Sequence, residues 1–147
     1  VPVRRATAAD RPAIEAIVAA AYAKWPPLIG VRPRPLDEDY GEVLERGNVW
    51  IAERDDEPFG VLVLVVESEC LLIDNVAVDP ARQGEGIGRE LLAHAETEAR
   101  SRGLGVVRLY TNEKMFDNID LYKRLGYRET RRSGESGFAR VYMEKIL

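Results

Sequence analysis

The sequence predicts a mixed α/β fold, one mixed sheet with helices on both faces. Two patterns carry that prediction. Apolar, β-branched runs of strand length cluster at Val49–Glu53, Phe59–Glu67 and Leu71–Val78, bounded by turn residues. Segments with apolar residues at helical spacing lie before and after that cluster. At 147 residues the chain reads as one domain, 1–147, around one core.

Each element follows from local pattern. Val1–Arg5 is a short first strand. Thr7-Ala8-Ala9-Asp10 is a capped helix start with an acid in the first turn. Ile14, Ile17, Val18 and Ala21 then recur at helical spacing, so one helix face is apolar. Lys24 to Pro35 holds four prolines and a glycine and is expected to break regular structure. Leu36–Arg46 reads as a short helix ended by Gly47. Val49–Glu53 and Phe59–Glu67 flank Arg54-Asp55-Asp56-Glu57-Pro58, a hairpin connection. Phe59–Val66 is nearly all apolar, as in a strand buried on both faces. Leu71–Val78 is the third strand of this group.

Gly86–Arg102 is a helix with Leu91, Leu92, Ala95 and Ala99 on one face, ended by Gly103. Val106–Tyr110 is a strand, and Phe116–Leu125 a short helix ended by Gly126. Tyr127–Arg132 and Ala139–Ile146 form a closing strand pair joined by Ser133-Gly134-Glu135-Ser136-Gly137. The predicted order is β-α-α-β-β-β-α-β-α-β-β.

Composition narrows the function. With 46% hydrophobic and 31% charged residues the chain reads as soluble and globular. No run approaches the roughly 20 apolar residues of a membrane helix, and Val1-Pro2-Val3-Arg4-Arg5 lacks the apolar core of a signal peptide. No membrane contact and a cytoplasmic location are therefore expected. One cysteine, Cys70, and one histidine, His94, leave no Cys or His set for a metal. A net charge of −4 argues against broad nucleic-acid binding but permits a local basic pocket for one phosphorylated ligand.

The informative stretch is Gln83-Gly84-Glu85-Gly86-Ile87-Gly88-Arg89, between the strand ending at Val78 and the helix carrying Leu91. A strand-to-helix turn leaves the first helical N–H groups without partners, and the helix dipole adds positive charge there. Absent side chains let a diphosphate approach the backbone. Arg82 and Arg89 flank the turn and can add charge-assisted hydrogen bonds. A Walker A loop ends in Gly-Lys-Ser/Thr and a dinucleotide fingerprint is G-x-G-x-x-G; neither matches.

Gln83-x-x-Gly86-x-Gly88 after Asn75-Val76-Ala77-Val78-Asp79-Pro80 resembles the central motif of the GNAT superfamily of N-acetyltransferases. Asn118-Ile119-Asp120-Leu121-Tyr122-Lys123-Arg124-Leu125-Gly126-Tyr127 is similar to that family's LYxxLGF/Y helix and turn. The resemblance implies a mostly antiparallel sheet whose central strands, here Leu71–Val78 and Val106–Tyr110, splay into a V-shaped cleft. Acetyl-CoA would be the co-substrate. Its pantetheine would pair with free backbone groups near Val76 and Val78. Its pyrophosphate would sit on the amides of Gly84, Gly86, Ile87, Gly88 and Arg89, beside Gln83. The family often has an asparagine seven residues before its tyrosine; Met115 stands there, and Asn112 or Asn118 would make the contact instead.

The resemblance also implies that Tyr122 is the general acid for the leaving thiolate. A phenol near 10 and a thiol near 8.5 differ by only about two pKa units. As a helical residue spaced i+3 from Ile119, Tyr122 also fits a core aromatic. Asp74, two residues before Val76, is expected on the same strand face, as a base for the amine or as a structural carboxylate. Glu53 is a further candidate base, and a partly deprotonated amine would need none. The oxyanion falls to a backbone N–H near Val76 or Ala77. His94 reads as a boundary residue. Cys70 reads as a small hydrophobe, which favours direct transfer over a ping-pong route. Asp37-Glu38-Asp39 reads as an exposed helix start or as an attractor for a cationic amine.

The acceptor amine, on a small molecule or a peptide, would enter past Lys24–Ile29 and Gly134–Tyr142, with Trp25, Tyr40, Tyr110 and Tyr142 as wall residues. A non-catalytic acyl-CoA-binding or sensing module is the alternative. Homodimerisation through the C-terminal strands is expected by family analogy.

Overall fold

The computed structural model describes residues 2–30, 32–134 and 139–147. Seven strands form one sheet: β1 (Val3–Arg5), β2 (Val49–Arg54), β3 (Glu57–Val66), β4 (Leu71–Val78), β5 (Val106–Asn112), β6 (Arg128–Ser133) and β7 (Arg140–Ile146). Their spatial order is β1-β2-β3-β4-β5-β7-β6, antiparallel at every pair except β4 and β5. Helices α1 (Arg11–Tyr22), α2 (Trp25–Ile29), α3 (Tyr40–Arg46), α4 (Ile87–Ser101) and α5 (Phe116–Arg124) complete the order.

The sheet divides two cores. On one face Leu91, Leu92 and Ala95 of α4 and Ile119 and Tyr122 of α5 meet Leu62, Ile73 and Leu109. On the other, Ile14, Ile17 and Val18 of α1 and Tyr40 and Val43 of α3 meet Val61, Val63 and Ala77. The continuous apolar run of β3 feeds both, although its last residues, Val65 and Val66, are exposed. Gly60 marks the tightest crossing: a Cβ there would stand 2.9 Å from Leu91 Cδ1 and 3.0 Å from Ile87 Cγ2, so α4 lies close against β3. Asp55 and Asp56 turn the β2–β3 hairpin, both with left-handed φ (53° and 62°).

Two expectations need correction. The proline-rich segment is not wholly irregular, because it contains α2. Pro26 and Pro27 fall in that helix's first turn, where a missing N–H leaves no bond unmade. Gly30, at φ 80°, ends it. The single helix over Leu36–Arg46 is instead a 3-10 turn (Arg34–Asp37) followed by α3. The Asp39 carboxylate accepts from the N–H groups of Gly41 (2.9 Å) and Glu42 (3.3 Å), which restarts the helix there. Strand β5 also runs two residues beyond Tyr110, to Asn112. Of the first-strand expectation Val1, and of the β6–β7 connection Glu135, Ser136 and Gly137, lie outside the described residues.

Arg4 ties the first strand to α1 and β2. Its Nη1 and Nη2 donate to Asp10 at 2.8 Å each, and its Nε donates to Glu53 Oε1 at 2.8 Å. These bonds from Arg4, with another from the Thr7 N–H, hold the Asp10 carboxyl well below the usual carboxylate range, at about 2. The folded protein thus binds fewer protons here than the unfolded chain. The stabilisation is complete above about pH 4 and is lost as pH falls toward 2. Thermal melts between pH 5 and 2 should show a shallower acid decline for Asp10→Asn than for the native protein; parallel declines would refute this.

Candidate active site

The site is built by a strand that loses one neighbour. β4 pairs with β5 only at Leu71–Val107 and Leu72–Arg108. Beyond Leu72 the two strands diverge. The Asp79 N–H donates to Phe59 O at 2.8 Å, so alternation turns the N–H and C=O groups of Val76 and Val78 away from β3. They face the opening, which is the splay implied by the resemblance.

A cleft of about 480 Å³ fills that opening. Val76, Ala77 and Val78 form one wall, and Asn118, Leu121 and Tyr122 of α5 the other. Gln83, Gly84, Gly86, Ile87, Gly88 and Arg89 close one end. Gly84 and Gly86 have φ of 87° and 81°, so the turn itself requires them. Gly88 is different. It lies inside α4, and a Cβ there would meet only Val78 Cγ2, at an ordinary 3.7 Å. The fold gains nothing from a glycine at that position, whereas a backbone-binding ligand would. Lys24, Arg82, Arg89 and Arg124 line the cleft with one acid, Asp117. Arg82 also stacks on Phe59, 4.1 Å from its centroid.

Tyr122 is 7% exposed and lines the cleft. Its ring meets Tyr127 edge-on at 5.9 Å between centroids. Burial pushes its phenol up to about 12. The gap to a thiol near 8.5 widens to about 3.5 pKa units, or about 5 kcal/mol. Full proton transfer from Tyr122 to such a thiolate is therefore steeper than an ordinary phenol suggests.

Asp74 stands elsewhere. Along β3, Val63 faces Asn75 but Leu64 faces Ile73, so Asp74 is an extra, unpaired residue in β4. This bulge breaks the alternation by which Asp74 and Val76 were expected to share a face. Val76 lines the large cleft, and Asp74 lines a smaller pocket of about 80 Å³ with Arg34, Tyr110, Thr111 and Met115. Arg34 Nη2 donates to Asp74 Oδ1 at 2.9 Å and to Asp74 O at 3.2 Å. The same guanidinium reaches Glu38 (2.8 Å) and the Tyr110 hydroxyl (3.2 Å).

Tyr22, at the end of α1, lines both spaces. Its hydroxyl donates to Asn75 Oδ1 at 2.8 Å, Asn75 Nδ2 donates to the Tyr40 hydroxyl at 3.2 Å, and that hydroxyl donates to Pro35 O at 2.7 Å. Burial raises the phenols of both tyrosines. Tyr22, Arg34 and Asn75 were not among the residues expected from sequence. Asn75 carried a signal, an amide amid apolar strand residues that would need a buried partner. Arg34 lay in a segment without periodicity and carried none.

The other candidates separate cleanly. Asn118 lines the large cleft, its Nδ2 3.8 Å from Met115 Sδ, whereas Asn112 lines the smaller pocket and accepts from the Lys114 N–H at 2.9 Å. Glu53 is held by Arg4 on β2 and lines neither space. Cys70 is buried, with its thiol pushed up by burial and by a bond to Glu67. His94 is a half-buried boundary residue beside Trp50, at 5.2 Å between ring centroids. Asp37, Glu38 and Asp39 are committed to Arg32, to Arg34 and to the α3 cap. Of the expected wall residues, Tyr110 lines the smaller pocket, Trp25 the large cleft, Tyr142 packs on Tyr110 at 5.6 Å, and Tyr40 is core.

Comparison with known proteins agrees with this geometry. The model of the Acetyltransferase (GNAT) family matches residues 14–127. The peptidyl-lysine N-acetyltransferase YjaB of Salmonella typhimurium is 32% identical over 108 residues, 73% of this chain and 68% of that protein. The crystal structure of a ribosomal-protein-alanine N-acetyltransferase from Brucella melitensis superposes with a TM-score of 0.78 at 25% identity, over 100% of both chains. A GNAT family acetyltransferase from Elizabethkingia anophelis with acetyl-CoA bound has the same fold, with a TM-score of 0.74 at 20% identity over 99% of this chain and 98% of that one. The chain belongs to the GNAT family of acetyltransferases.

Proposed function

We propose that the protein moves the acetyl group of acetyl-CoA directly to a primary amine on a small molecule or peptide. One observation carries the reading: the large cleft and the smaller pocket share Tyr22 as a wall, where β4 bulges just past the end of its pairing with β5. Thioester and amine can then meet without a covalent enzyme intermediate, and the buried, hydrogen-bonded Cys70 is unsuited to one.

The cofactor-binding residues of this reading are Gln83, Gly84, Gly86, Ile87, Gly88 and Arg89 for the pyrophosphate. Val76 and Val78 serve the pantetheine, and Asn118 rather than Asn112 makes the further contact. The amine lone pair attacks the thioester carbonyl carbon. The backbone N–H of Val76 receives the developing oxyanion; the Ala77 N–H, the other donor considered from sequence, is turned toward β3 by the same alternation. Asp74 orients the amine and takes its proton, directly or through water, while Arg34 fixes the carboxylate. As the C–S bond breaks, the Tyr122 hydroxyl donates a hydrogen bond to the thiolate, and solvent completes its protonation.

The overall reading is tested by thiol release from acetyl-CoA across an amine panel; cofactor binding without release on any amine would reduce the protein to a binding module. Tyr122→Phe should lower kcat about a hundredfold with the KM for acetyl-CoA within about twofold; an unchanged kcat would remove Tyr122 from the chemistry. Gly88→Ala should hold or raise thermal stability, by up to about 1 kcal/mol, yet weaken acetyl-CoA binding several-fold in calorimetry. Unaltered affinity would return Gly88 to a structural role. Asp74→Asn should lower kcat/KM for the amine at least about tenfold and flatten the acidic limb of its pH profile, with acetyl-CoA affinity intact. Persistence of that limb would clear Asp74.

A further inference from the structure

The face that continues outward from the smaller pocket is basic on an acidic protein. Arg34 donates to the Tyr110 hydroxyl, and Arg140 lies over the Tyr110 ring at 4.5 Å. Tyr110 packs on its cross-strand partner Tyr142 at 5.6 Å, and Arg131 lies over Tyr142 at 3.9 Å. Alternating arginines and tyrosines thus run from β5 across β7 to the edge strand β6. Helices α4 and α5 cover the other side of these strands, where Leu109, Val141 and Met143 are buried. On this side Tyr110, Tyr142 and Arg140 are half-buried and Arg131 is exposed.

Arg34 is matched by Asp74 and Glu38, so among the described residues the surplus lies farther out along the ladder. Arg108 and Arg128 share one carboxylate, Glu144, at 3.3 and 3.8 Å. Arg131 has an aromatic ring rather than a carboxylate as its partner. The stacking fixes the guanidinium's plane and leaves its N–H fork for a planar anion. The whole chain carries −4, so this surplus of arginine is local.

We propose that the acceptor is the free amino end of an acidic peptide segment, laid in extended form across β5, β7 and β6. The inference rests on the acetyl-transfer reading and narrows its substrate. The pocket of about 80 Å³ beside Asp74 has room for the amine and little more, so the rest of the acceptor lies on the open face. Arg131 stands two strand spacings from β5, about 10 Å, which is about three residues of extended chain. A single amino acid in the pocket falls short of Arg131; the side chains of a peptide's second to fourth residues do not. Asp or Glu at those positions complements the ladder, and Lys or Arg there is repelled by it.

Two hexapeptides with free N-termini test this, one with Asp and Glu at positions two to four and one with Lys. Their binding to the CoA-loaded protein is read by fluorescence anisotropy, and their acetylation by thiol release. The acidic peptide should bind at least about fivefold tighter at low salt, with the preference shrinking as salt rises. Arg131→Glu should erase the preference while leaving acetyl-CoA affinity and the melting temperature unchanged. Equal or better binding of the Lys peptide overturns the proposal, as does a preference that survives Arg131→Glu. A short RNA that binds this face more tightly than the acidic peptide also overturns it. So does an Arg131→Glu variant that only dissociates a dimer. Selective binding of the acidic peptide with no thiol release on it or on any amine of the panel would sink the acetyl-transfer reading and leave this surface standing. Release on uncharged amines with no acidic preference would do the reverse.

Discussion

A strand inside a sheet has hydrogen-bonding groups on both edges, and leaving either edge bare is costly. Beyond Leu72, β4 satisfies only the edge facing β3. The outward groups of Val76 and Val78 must be met by water or by a ligand with amides of its own, as pantetheine has. The rest of the site follows from that vacancy. The divergence of β5 makes the cleft, α5 walls it, and the α4 N-terminus closes its end. The extra residue at Asp74 sets where the strand changes face, and so which side chains look toward the large cleft and which toward the smaller pocket.

A gap held open in a sheet tends to collapse, and two features resist that here. Gly60 lets α4 lie close on β3, which fixes the glycine-turn end of the cleft from behind. At the other end the relay from Tyr22 through Asn75 and Tyr40 to Pro35 fixes the wall between the two spaces. Each polar group in that relay has a partner, so its burial favours one arrangement without leaving an unsatisfied atom. The relay also joins α1, β4 and α3, so a shift of any one of them would be felt at the reaction centre.

Much of the fold was legible because it is local. The period of Leu91, Leu92, Ala95 and Ala99, the apolar run of β3 and the stops at Gly47, Gly103 and Gly126 each depend on near neighbours in sequence. The glycine turn was legible for the same reason, since Gly84 and Gly86 are required by their own φ. What the sequence hid depends on distant partners. The bulge at Asp74 is a matter of register with β3, and no property of Asp74 announces it. Arg34 acquires its role only when the proline-rich segment folds back onto β4 and β5. The pairs that neutralise Asp37 and Glu38 are likewise set by the folded segment. Tyr122 was found by motif, but the depth of its burial, and with it the acidity of its phenol, belongs to the packed structure.

Charge shows the same division between sum and arrangement. A net −4 excludes indiscriminate attraction to polyanions at long range. It does not report where the surplus lies, because screening confines each charge to about 8–10 Å at ordinary salt. The cofactor cleft is lined by four cationic side chains and one carboxylate, which suits a ligand carrying phosphates. The acids that make the chain negative are elsewhere or already paired, as Glu38 is with Arg34 and Asp10 with Arg4. An overall acidic protein can thus hold an anionic cofactor in one groove.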